Sequence, residues 1–173
     1  MNYSDASREP QTEHVIRFPD CDPLGHLNNA RYLDYFLNAR EDHLREYYDM
    51  DIYKYSHERG EGWVVSRSLN AYLVPALLME RVQIRTRVIE PEERRVTVEA
   101  LMLDQGGERL KALSRLEFSY VNLKSGRLSK HPSDIMEMIQ ALNTLPGPMG
   151  DFESRLKDVK KEIRADRKQG VPA

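Results

Sequence analysis

The chain has 173 residues, the size of one ordinary domain, with 40 % hydrophobic and 31 % charged residues, the balance of a soluble globular protein. Its formal net charge of -2 argues against nucleic acid or an anionic membrane as the main partner, and a single cysteine, Cys21, excludes an intrachain disulfide. No apolar run approaches the roughly 20 residues of a membrane span and the N-terminus has no apolar signal core, so a cytoplasmic protein is expected.

Residues 1–12 are polar and expected to be flexible. Residues 14–18 read as a short strand, followed by Pro19-Asp20-Cys21-Asp22-Pro23-Leu24-Gly25, a segment dense in turn formers. Asn28 or Asn29 is placed to cap a long helix running to about Tyr48, in which Leu33, Phe36, Leu37, Leu44, Tyr47 and Tyr48 recur near the 3.6-residue period. Residues 49–61 read as a polar connection. The period then changes to 2. Residues 62–74 are strand-like, Val82, Ile84, Thr86 and Val88 alternate with Arg81, Gln83, Arg85 and Arg87, and Val96, Val98, Ala100 and Met102 repeat the pattern.

After a turn at Gln105-Gly106-Gly107, Leu110, Ala112, Ser114, Leu116, Phe118 and Tyr120 mark another long strand. A short helix is expected over 133–142, which closes a domain spanning 13–142. Residues 143–150 read as a linker. In the tail, 151–173, Phe152, Leu156, Val159 and Ile163 stripe an amphipathic helix over 151–167, either docked on its own domain or offered to a partner. A strand, a long helix and four consecutive strands predict an α+β domain with the helix across one face of an antiparallel sheet. The other face, or a sheet edge, then needs a cover, which a second copy of the chain supplies most simply.

Gly-x-Ser-x-Gly, Walker, Gly-x-Gly-x-x-Gly and His-Glu-x-x-His motifs are all absent. His14, His26, His43, His57 and His131 have no metal-ligand spacing, so no metal site is expected. Cys21 lacks a motif that would set a base beside it and reads as a packed thiol. The segment from Phe18 to Phe36 is what remains, and it resembles the hotdog acyl-CoA thioesterases, most closely the 4-hydroxybenzoyl-CoA thioesterase branch. Asp20, Asp22, Gly25 and Tyr32 match that family's Asp-x-Asp-x-x-Gly turn and the tyrosine ten residues after its second aspartate. Gly25-His26-Leu27-Asn28-Asn29 matches the Gly-His-x-Asn-Asn variant of the acyl-CoA and acyl-carrier-protein thioesterases. The likeness runs more weakly through Tyr72-Leu73-Val74-Pro75 to Ile139 and does not cover the tail.

The resemblance implies a hotdog fold, an antiparallel sheet wrapped around a long central helix, here with an extra C-terminal amphipathic helix. It also implies hydrolysis of an acyl-CoA substrate without a cofactor, in a homodimer or homotetramer whose site lies between subunits. The residues themselves agree. Asp22 precedes Pro23, which biases it toward an exposed turn. Gly25 permits a conformation closed to other residues, and the helix that follows begins with unpartnered amides. A thioester carbonyl held by the N–H of about Asn29 would be polarised beside Asp22, acting as nucleophile or general base.

Each residue also has a plainer role. Asp22 fits an Asx turn or helix cap, Asp20 a turn stabiliser, His26 a structural loop histidine and Tyr32 a core tyrosine rather than a wall of the acyl channel. Ser66 and Ser68 either offer hydroxyls to a neighbouring subunit's site or face solvent. Arg81, Arg85, Arg87, Arg94 and Arg95 either meet coenzyme A phosphates or form a solvated face. Three alternatives stand beside the acyl-CoA hydrolase: an acyl-carrier-protein thioesterase, a hotdog dimer that binds acyl thioesters without turnover, and hydration chemistry on an acyl chain.

Overall fold

In a computed structural model that describes residues 7–145, 147 and 150–169, the period-2 segments join in one antiparallel sheet. Its strands are β1 (Gln11–Val15), β2 (Glu61–Tyr72), β3 (Arg81–Pro91), β4 (Arg95–Asp104) and β5 (Leu110–Asn122), in the spatial order β1-β3-β4-β5-β2. The helices are α1 (Tyr32–Tyr48), α2 (Ile52–Arg59), α3 (Ser133–Ala141) and α4 (Phe152–Gln169). Helix α1 lies across one face of the sheet, where Tyr32, Phe36 and Ala39 pack with Val82, Ile84, Met102 and Leu116. At the end of α1, Tyr48 joins Ile135, Met138 and Ile139 of α3 on Val88, Val96 and Val98. This is the hotdog arrangement, with the additional C-terminal helix.

Along β4, Ala100 and Met102 face α1, so Leu101 and Leu103 must face the other way. There α4 sets Leu156, Val159 and Ile163 against Leu101, Leu103, Leu110 and Leu113. The amphipathic helix therefore docks on its own domain, each fully buried aliphatic side chain contributing roughly 1.5–3 kcal/mol. Beside the stripe, Glu99 is 1 % exposed and pairs with Arg87 at 2.7 Å and Arg155 at 2.9 Å. Glu162 of α4 binds the same two arginines at 2.8 and 2.6 Å. Arg87, expected on a solvated face with Arg81 and Arg85, is thus buried. The alternation placed it on the outer face correctly, and α4 covers that face.

Three local features differ from expectation. The first strand starts at Gln11, because its backbone pairs with β3 from Gln11 opposite Arg85 to Val15 opposite Arg81. Phe18–Asp20 turns into a short 3-10 segment with Pro19 in its first turn. The supposed polar connection holds α2, whose start is capped by Asp51 Oδ1 accepting the Tyr53 and Lys54 amides and whose end is Gly60 at φ 66°. These are ordinary start and stop signals, around a helix too short and polar to show a stripe. Asn28 caps a 3-10 turn, Asn29–Arg31, that runs into α1.

Of the expected flexible segment 1–12, residues 1–6 lie outside the described part, and Gln11 and Thr12 belong to β1. Of the expected linker, residues 146, 148 and 149 lie outside it, while the Thr144 N–H donates to the Val88 carbonyl and ties its start to β3. Tail residues 170–173 also lie outside. Strand β2 ends the sheet, so one side of its backbone has no strand partner among the described residues. Val64, Val65, Leu69 and Tyr72 along it are exposed, an apolar edge of the kind that monomers avoid. Among the described residues no helix is long and apolar enough to cross a membrane.

Candidate active site

The Asp22-Pro23-Leu24-Gly25 turn closes through a bond from the Gly25 N–H to the Asp22 carbonyl at 3.0 Å, and the Asp22 N–H donates to the His26 carbonyl at 2.8 Å. Gly25 sits at φ 74°, where a Cβ would be strained. The turn is sewn to the loop after β2, with Leu27 N–H on the Ala76 carbonyl and Leu78 N–H on the Gly25 carbonyl. A bond from Asn28 N–H to the Asp20 carbonyl holds the helix entry beside it.

Asp22 Oδ1 accepts the Leu24 amide at 2.9 Å and the His26 amide at 3.1 Å, so the Asx-turn role is real. Its Oδ2 has no hydrogen-bond partner among the described residues. One oxygen anchors the carboxylate and the other is free to act. At the helix entry the Asn28 side chain takes the Ala30 amide at 3.0 Å and the Asn28 carbonyl takes that of Arg31 at 2.8 Å. The Asn29 N–H between them has no acceptor among the described residues, and the Asn29 carbonyl is held by the Tyr72 hydroxyl at 3.1 Å. This leaves one fixed, unused donor at the positive end of a helical run, beside a turn with a free carboxylate oxygen.

Asp22, Gly25, His26 and Asn29 thus share one loop. His26 is half-buried. Asp20 takes the Tyr35 hydroxyl at 2.9 Å, as a turn stabiliser would. Burial and the nearby Asp20 and Asp22 carboxylates push the Cys21 thiol up, which keeps it protonated and a poor nucleophile. Tyr32 is 2 % exposed, its ring is edge-on to Tyr72, and its hydroxyl receives the Ala76 amide, so it packs as a core tyrosine behind the loop. Ser66 and Ser68 lie on β2. The Ser66 hydroxyl donates to Glu117 and accepts from Ser119, whereas Ser68 pairs with Leu116 and shares the face of α1. Among the described residues no three His, Cys, Asp or Glu side chains gather as metal ligands would.

The sequence reading missed a cavity of about 380 Å³ between α1, α2, α3 and the β2–β5–β4 side of the sheet. Leu37, Leu44, Trp63, Val98, Phe118 and Ile139 give it an apolar lining, and Arg40, Glu41 and Tyr53 add polar groups. Its size suits a small organic ligand. No sequence signal announced it, because α2, which forms one wall, was itself unread.

A protein-family model described as the thioesterase-like superfamily matches residues 16–139, from before the Asp22 turn into α3. A search of curated proteins finds no match. Among solved structures, a Thermus thermophilus thioesterase complexed with coenzyme A and Zn is 28 % identical, with a TM-score of 0.67 over 82 % of this chain and 99 % of that one. A hypothetical protein, also from Thermus thermophilus, is 24 % identical, with a TM-score of 0.68 over 78 % and 98 % of the two chains. A 1,4-dihydroxy-2-naphthoyl-CoA thioesterase from Synechocystis is 14 % identical, with a TM-score of 0.69 over 81 % and 99 %.

Proposed function

This chain belongs to the thioesterase-like superfamily, and from that premise we propose that it hydrolyses an acyl-coenzyme A thioester, with Asp22 as the reacting carboxylate and the Asn29 amide as oxyanion donor. The observation that carries this reading is the pairing of a carboxylate with one unbonded oxygen and an N–H with no acceptor at one turn–helix junction. As the carbonyl becomes tetrahedral its oxygen gains charge, which the Asn29 N–H stabilises without reorganising. Asp22 either takes a proton from the attacking water or attacks the carbonyl itself, the resulting anhydride then being hydrolysed. In both cases the carbon–sulfur bond breaks, its electron pair leaves on sulfur, and the thiolate is protonated as free coenzyme A. His26, on the same loop, orients the substrate or the water.

The unpaired β2 edge supports a homodimer. An antiparallel pair of β2 strands about a two-fold axis sets the Tyr72 end of one against the Glu61 end of the other. The turn of one protomer, tied to Tyr72 through Asn29, then approaches the cavity of its partner, which Trp63 lines. Ser68, on the α1 face of this edge strand, lies along the seam, and the cytoplasm is the setting that such a substrate fits.

The test is thiol release from a panel of acyl-CoAs, followed with a chromogenic reagent, by the wild type and Asp22→Asn. The substitution keeps an Oδ1 acceptor for the turn. Loss of about 10²- to 10⁴-fold in kcat is expected. Unchanged turnover in the variant would remove Asp22 from the mechanism, and tight binding without release from any acyl-CoA would make the chain a binder.

A further inference from the structure

The exposure of its lining gives the cavity a direction. Val65, Tyr53 and Asn38 are exposed and form a mouth beside the free β2 edge, while Val96, Val98, Met138, Ile139 and Arg40 are buried and form a floor. Arg40 is the anomaly. It is 8 % exposed, and among the described residues no carboxylate pairs with it. Its guanidinium rests against Tyr48, 5.8 Å from the ring centre, and burial pushes its pKa down. The other charged group of the lining is already occupied: Glu41 is bound by Arg45 at 2.9 Å and by the Tyr53 hydroxyl at 3.1 Å. The described residues thus include a buried cation with five N–H donors beside an apolar chamber, and no anion to match it. That arrangement costs stability unless something else supplies the charge.

We propose that this chamber holds the acyl group and that Arg40 on its floor selects acyl thioesters whose far end carries a carboxylate. The inference rests on the thioester-hydrolase reading for its reaction and adds the substrate class. The apolar walls take the methylene or aryl body of the acyl group. The guanidinium forks onto the terminal carboxylate, which a chain ending in methyl would leave unpaired.

The experiment compares kcat/KM for two pairs matched in chain length, adipoyl-CoA with hexanoyl-CoA and suberoyl-CoA with octanoyl-CoA, in the wild type, Arg40→Lys and Arg40→Met. A preference of roughly tenfold to a hundredfold for the carboxylated member is expected in the wild type, the range of one charged hydrogen-bonded contact. It should shrink in Arg40→Lys and vanish or invert in Arg40→Met. Because each preference is a ratio within one preparation, a partly unfolded variant does not distort it. If Arg40→Met fails to fold, the wild-type ratio and Arg40→Lys decide. A wild-type preference for the methyl-ended chains, or one unchanged in Arg40→Met, overturns the proposal. If no thioester is hydrolysed, the reaction reading fails separately, and the same compounds become stable ligands. Their Kd values by calorimetry must then show the carboxylate preference and its dependence on Arg40, or the proposal falls.

Discussion

Lowering the pH should destabilise this fold through one histidine. His43, on the inner face of α1, is 0 % exposed. Its Nδ1 lies 2.7 Å from the Thr86 hydroxyl and its Nε2 lies 3.2 Å from that of Thr12. Burial, then the neighbouring Arg40 and His14, push its pKa down to about 3 from the ordinary 6.5. The unfolded chain therefore binds a proton that the fold refuses across that interval, so stability is complete above pH 6.5 and is lost as pH falls below it. Between about pH 7.5 and pH 5 the loss from this group is about 2 kcal/mol. His14 and His131, also pushed down by burial, add to it in the same direction. His43→Gln can still bond both threonine hydroxyls but cannot titrate. Urea unfolding followed by Trp63 fluorescence at the two pH values should show the variant losing about 2 kcal/mol less than the wild type, whatever its stability at the higher pH. Equal losses in the two proteins would refute the argument, since His43 would then be protonated in the fold as readily as outside it.

Asn29→Pro deletes the free amide at a position where the extended Asn28, at ψ 134°, already suits a following proline. Thioester turnover should fall about 10²- to 10³-fold, the loss of one oxyanion donor, while Asn29→Ala, which keeps the N–H, stays within a few-fold. Glu99→Gln leaves Arg87 and Arg155 buried with Glu162 as their remaining bridging carboxylate. About 3 kcal/mol of stability should be lost by urea titration, the lower end for breaking a buried ion pair. Val65→Lys combined with Leu69→Lys should convert a dimer to single chains in light scattering and lower activity with it. A dimer that survives both charges would place the interface elsewhere.

Period-2 runs of β-branched and aromatic residues, a long striped helix and Pro/Gly-rich turns determined most of the architecture, because each is a local preference that the sheet and helix share. The turn at Asp22 was legible for the same reason: Pro23, Gly25 and the Asn28 cap act within a few residues of one another. What remained open was whatever depended on distant chain segments. The same alternation that put Arg87 on the outer face left its burial undecided until α4, some seventy residues later, lay over it. Arg40 and Tyr32 sat on an unremarkable helix until the sheet closed around them, and α2 became a wall only by packing across the end of β2. The structure added the bond geometry at this junction: Asp22 Oδ1 takes the Leu24 and His26 amides, and the Ala30 and Arg31 amides are bound while that of Asn29 is spare. A hydrogen bond is a matter of distance and angle between groups, and residue types do not specify either.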